Sequence, residues 1–152
     1  MLLSGILALD DWLLTLWVAA RHGVDPLLLV AVGWRETNWG RRGAGKRGWH
    51  LGYGYFPGSP VLERYRGLRN QLEGAASQLA RDLGATPTSQ SQLRRFASES
   101  WRPADPGAWA KGVWQAYCAL TDDLSLLLGE RPRHPGPLTG GRAQERAATR
   151  TP

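Results

Sequence analysis

Residues 22–40 read HGVDPLLLVAVGWRETNWG, and the fold turns on how this stretch is read. Gly23 is a helix stop. Asp25 has the short acceptor side chain that caps a new helix, and Pro26 has the fixed φ that suits a first helical position. A helix is therefore predicted over residues 26–39, with Gly40 as its stop. Residues 27–34 are apolar on every face, which puts this helix at the centre of the protein. Near its end stands one carboxylate, Glu36, between Trp34 and Trp39. Its neighbours on the same face are Gly33, Val32 and Leu29, so it sits at the edge of an apolar surface. Gly33 removes bulk one turn below it, which lets a ligand or another helix come close.

Working outward, residues 4–22 read as a first helix. The opening MLLSGILALDDWLLTLWVAA has the apolarity of a signal peptide. It lacks a cationic leader, however, and Asp10 and Asp11 interrupt it. The same acids keep each uncharged run below the about 18 residues that a membrane span needs, so no transmembrane segment is expected. Residues 40–60 are dense in glycine, with GWHLGYGYFPGSP at their centre. They predict a long irregular segment or a small hairpin, and long ordered loops often carry function. Helix returns over residues 61–83, where Leu68, Leu72, Ala76, Leu79 and Leu83 form one stripe, and Gly84 ends it. Thr88 or Ser89 caps a further helix that reaches about Ser100.

WRPADPG (101–107) then turns the chain. Asp105 and Pro106 repeat the start signal for a last helix over residues 107–128. Trp109, Val113, Tyr117, Leu120, Leu124 and Leu127 share one of its faces. The remainder is rich in proline, glycine and charge with almost no apolar anchor, which predicts disorder. The expected architecture is one mostly α domain over residues 1–128, with some five helices, a buried central helix and any strands within 45–57. A disordered basic tail follows over residues 129–152.

The 152 residues suffice for a single core. A formal net charge of +6 and a sequence pI of about 10.2 imply anionic partners: nucleic acid, a membrane surface or bacterial wall polymers. The arginines are spread over helices, loops and tail without a basic recognition helix, so nucleic acid is not expected as the partner. Eight tryptophans against two phenylalanines suit a groove that stacks on flat rings as well as a core. Cys118 is the single cysteine, which excludes a disulfide within the chain. His22, His50 and His134 lack metal-ligand spacing. Neither a metal nor a cofactor is expected.

Burial at the end of an apolar helix disfavours the charged form of Glu36 and raises its pKa, and a glutamate protonated near neutral pH can serve as a general acid. The competing role is structural. Arg35, Arg41 and Arg42 are near enough in sequence to pair with Glu36 and hold it ionised.

The pattern around Glu36 resembles the catalytic segment of the lysozyme-like superfamily of peptidoglycan-cleaving enzymes. The shared features are a Gly-x-x-Pro lead-in (Gly23 to Pro26), a buried helix and a Glu-Thr near its end. Trp39-Gly40 is similar to the Trp-Gly of the glucosaminidase branch. GYGYFPGS (52–59) resembles the loop that lines the saccharide cleft in the lytic transglycosylase branch, with Tyr55 standing where that loop has glutamine. WRPADPGAWAKGVWQAY (101–117) resembles the aromatic–Asp-Pro–aromatic segment that closes the glucosaminidase domain. Trp101 there replaces a tyrosine and lies one residue further from Asp105.

The resemblance covers roughly residues 20–120 and implies cleavage of β-1,4 bonds in peptidoglycan glycan strands, by a glucosaminidase or a lytic transglycosylase. Glu36 would be the acid, and Trp39, Trp49, Tyr53, Tyr55 and Trp101 would line the cleft. Glu99 or Asp105 would be a second acid, unless the substrate's own N-acetyl group takes that role. The basic run 41–47 would meet stem-peptide carboxylates or stay solvated. The protein would act as a monomer at the bacterial cell wall, reached through a holin, a virion or another route. The rival expectation is a catalytically inert wall-binding or phage-structural module on the same fold.

Overall fold

The computed structural model of the chain describes residues 7–55 and 62–129. Its central helix, α2 (Pro26–Thr37), follows a first helix, α1 (Leu9–His22). Leu28, Leu29, Val30, Ala31 and Val32 on α2 are fully buried. Burying each of the larger of these side chains contributes about 1.5–3 kcal/mol, so α2 is held by packing far more than by its own propensity. Asp25 caps it, accepting from the Leu27 amide at 2.8 Å, and its other oxygen accepts from the Tyr117 hydroxyl at 2.6 Å. One side chain thus starts α2 and ties it to the last helix, α5 (Pro106–Leu127).

Three further α-helices complete the described residues: α3 (Leu68–Asp82), α4 (Gln90–Phe96) and α5 (Pro106–Leu127). α2 packs chiefly on α5, α4 also lies on α5, and α1 lies on α3. The mostly α expectation holds, and no strand occurs among the described residues. No single helix among them is long and apolar enough to cross a membrane.

Several boundaries differ from the sequence reading. α1 begins at Leu9, with residues 7 and 8 outside it. Its outer face is apolar: Leu9, Leu13, Leu16 and Trp17 are exposed. α2 stops at Thr37 rather than Trp39, and Asn38, not Gly40, is its left-handed cap. Trp39 is also left-handed, which turns its ring back under the helix. There it fills the space beside Gly33, where a Cβ would lie 2.2 Å from a ring carbon. The gap at Gly33 serves this indole, not a ligand or a second helix.

The glycine-rich segment forms a 3-10 turn at Gly43–Arg47, and no hairpin occurs among its described residues. The helix expected over residues 61–83 is divided into a 3-10 turn at Glu63–Tyr65 and α3, with Gly67 at a left-handed φ of 91° between them. Ser89 caps α4 by accepting from the Gln92 amide at 3.2 Å. α4 then loosens into a π turn over Ala97–Trp101. Asp105 caps α5, accepting from the Ala108 amide at 2.9 Å. The expected tail lies outside the described residues from residue 130 onward.

Candidate active site

Glu36 lies on the last turn of α2 and faces a cavity of about 610 Å³. The loop after the 3-10 turn supplies Gly52, Tyr53, Gly54 and Tyr55 to its walls. Arg64 and Tyr65 come from the turn before α3, and Ser100, Trp101 and Arg102 from the end of the π turn.

One carboxyl oxygen, Oε1, accepts two indole N–H groups, from Trp101 at 2.8 Å and from Trp109 at 2.5 Å. The other, Oε2, faces Gly52, where an added Cβ would stand 3.1 Å away. Gly52 also has a φ of 70°, so only glycine is at ease there. Burial pushes the Glu36 carboxyl above its ordinary value. The two indole donors and the Arg35 charge pull it back only in part.

Both indoles are set by helices. Trp109 is in the first turns of α5 and 3% exposed, its ring tilted against Phe96 and Trp101. Trp101 is the last residue of the π turn, and a π turn swings its side chains off the α-helical rows. Arg102 closes that turn in a left-handed conformation, its amide donating to the Ala97 carbonyl at 2.7 Å. Such a backbone on a non-glycine residue persists only when its surroundings enforce it.

The opposite wall has no helix of its own. Gln71, fully buried on α3, holds it. Its Oε1 accepts from the Leu51 and Tyr53 amides at 3.2 and 3.0 Å. Its Nε2 donates to the Tyr53 and Tyr65 carbonyls at 2.7 and 2.6 Å. Gly74, one turn along α3, leaves room for the Tyr53 ring, which meets Tyr65 edge-on. Thr37 pins the near end: its hydroxyl donates to the His50 carbonyl and accepts from the Gly40 amide at 2.8 Å.

The cavity therefore gathers Glu36, Tyr53, Tyr55 and Trp101 of the predicted set. Gly52 and Gly54 take left-handed turns, and Tyr53 and Tyr55 beside them both reach the cavity. Trp39 and Trp49 do not line it. Trp39 is core, 6% exposed beneath Gly33, and Trp49 is 4% exposed, covered by Tyr55 and by the Arg66 guanidinium. Glu99 and Asp105 do not line it either. Both are exposed, and Asp105 is occupied as a cap. No second carboxylate lines the cavity among the described residues.

Arg35 and Arg42 make no hydrogen bond to Glu36 and line another face of the protein, although the Arg35 charge is felt at the carboxyl. Arg35 lies over Gly112 and, with Trp34, Arg42 and Gln115, lines a depression of about 400 Å³ on another face of α2. Of the basic run, only Ala44 lines the main cavity, while Arg47 donates to the Tyr55 hydroxyl at 2.6 Å.

Sequence reasoning missed Trp109, Gln71, Tyr65, Arg64 and Arg102. Trp109 was legible as a buried aromatic beside the Asp-Pro cap, but not as a donor to Glu36. No group of three His, Cys, Asp or Glu side chains is brought together as a metal site among the described residues. Comparison of the chain with known protein families, with curated proteins and with solved structures found no match.

Proposed function

We propose that the chain is a peptidoglycan glycosidase that cleaves β-1,4 bonds in glycan strands with Glu36 as its general acid. The observation that carries this reading is a single carboxyl, raised in pKa by burial, at the base of a cavity walled by Tyr53, Tyr55, Tyr65 and Trp101. Burial extends upward the pH range over which the acid keeps its proton, and aromatic faces stack on sugar rings. Glu36 gives its proton to the bridging oxygen, and positive charge builds on the anomeric carbon. With no second carboxylate among the described lining residues, the substrate's N-acetyl oxygen is the group that meets this charge. That route serves both a glucosaminidase and a lytic transglycosylase. The protein works as a monomer on the bacterial cell wall.

Glu36→Gln tests the proposal. Glutamine keeps the shape and still accepts from the indoles, but has no acidic proton to give. Lysis of purified cell walls, followed by turbidity and by mass spectrometry of the released muropeptides, is expected to fall about 10²–10⁴-fold or more. Wild-type activity is expected to fall on the alkaline side as Glu36 loses its proton.

Stability moves the other way. The folded protein holds this proton more tightly than the unfolded chain, so the contribution of Glu36 is present at low pH and is lost as pH rises through its raised pKa. The variant is therefore expected to melt at or above the wild-type temperature at neutral pH, with the gap closing as pH falls from the raised pKa toward about 4.5. A folded Glu36→Gln protein that lyses walls at the wild-type rate would end this reading.

A further inference from the structure

We propose that Oε2 of Glu36 carries the transferable proton of the site, and that Trp109 is a positioning residue that fixes the carboxyl in this orientation. The use of that proton on a glycosidic oxygen rests on the function proposed above; its placement rests on geometry alone.

Oε1 accepts from Trp101 at 2.8 Å and from Trp109 at 2.5 Å. Indole nitrogen only donates, so neither bond can reverse. A hydroxyl at Oε1 would point its hydrogen toward one of two fixed N–H groups. In the neutral acid the proton therefore belongs to Oε2, beside Gly52, where the absence of a side chain leaves the cavity open to it.

The same two bonds favour transfer. As the Oε2–H bond breaks, a new O–H bond forms at the bridging oxygen. The C–O bond to the anomeric carbon breaks with its electron pair staying on that oxygen. Glu36 is left as a carboxylate, and both indole bonds become charge-assisted without any movement of the donors. Trp101 lines the cavity and is placed to touch a ligand. Trp109 does not line it and acts through Glu36.

The other titratable and charged groups on the elements around the carboxyl include Arg35 on α2, His50, Tyr53 and Tyr55 on the loop, Glu63, Arg64 and Tyr65 on the turn before α3, Glu99 on the π turn with Arg102 after it, and Lys111 on α5 with Asp105 as its cap. The experiment separates His50 and the two other glutamates from Glu36 by substitution.

The test follows the indole N–H signals of Trp101 and Trp109 by NMR in protein labelled with 15N-tryptophan as pH is varied. Both signals are expected to shift with one common midpoint above the ordinary glutamate value, and both shifts are expected to vanish in Glu36→Gln, which excludes His50 as their source. In Trp109→Phe the Trp101 signal is expected to keep its transition with the midpoint raised by about one pH unit, because a donor to the charged form is gone. Where lysis is observed, its alkaline limb moves up by the same amount. Trp101→Phe is the mirror variant, read on the Trp109 signal, should Trp109→Phe fail to fold.

Indole signals that ignore Glu36, or a Trp109→Phe midpoint unchanged from wild type, would overturn the proposal. A shared midpoint in a protein that lyses no wall would uphold the placement of the proton and refute the glycosidase instead.

Discussion

On one side of Glu36 stand Trp101 and Trp109, placed by α4, the π turn and α5. On the other runs a glycine-rich loop whose only regular element among the described residues is a 3-10 turn. The helical side is held by apolar packing: Phe96, Trp101 and Trp109 lie ring against ring, and Phe96 and Trp109 are buried. The loop side is held by hydrogen bonds, four of them to the one side chain of Gln71. Irregular backbone satisfies only part of its own polar groups, so a buried loop needs the rest met by a neighbour. A helix meets its own and needs only volume filled. The two walls should therefore fail to different substitutions.

The largest effect is expected at Gln71→Leu, which keeps the volume and removes every one of those bonds. Each backbone group left buried without a partner costs about 1–3 kcal/mol, partly relieved where the loop lifts into water. A loss of about 3–5 kcal/mol in urea unfolding is expected; a loss below about 1 kcal/mol would show that the loop holds itself.

Gly33→Ala probes the apolar side with a single methyl group. The added carbon would stand 2.2 Å from the Trp39 ring, and overpacking of this kind costs about 1–3 kcal/mol. A thermal melt measures it, and an unchanged melt would mean that Trp39 moves aside freely.

The smallest effect is expected at Asp105→Ala, outside both walls. Losing the cap costs about 0.5–2 kcal/mol, with the rate on cell walls unchanged. A dead but well-folded variant would restore Asp105 as a second acid.

These differences also govern what could be read in the sequence. α2 was legible because its apolar run covers every face and Asp25-Pro26 marks its start; Asp105-Pro106 announced α5 in the same way. Glu36 was legible because it is the one carboxylate at the end of that run. The burial of Trp39 and Trp49 was not legible because it depends on how the chain turns back on itself, onto Gly33 for one and under Tyr55 and Arg66 for the other. The direction of the Trp109 N–H depends on how α5 crosses α2, which no local pattern encodes. The π turn left no mark in residues 97–101, since its extra width answers to packing rather than to residue type. Gln71 sits beside Leu72 on the stripe of α3, yet a polar residue at that place reads equally well as the edge of a solvated face.

Gln71 has one more consequence, and it concerns time. The amides of Leu51 and Tyr53 end on a side chain rooted in the middle of α3. Their hydrogens can exchange with heavy water only when α3 itself gives way or releases that side chain. In an exchange experiment these loop amides should keep pace with the helix interior rather than with those of the surface turn beside them, such as that of the exposed Arg41 just before the 3-10 turn. The wall of the cavity then opens and closes with the fold as a whole, and its lifetime is the lifetime of α3.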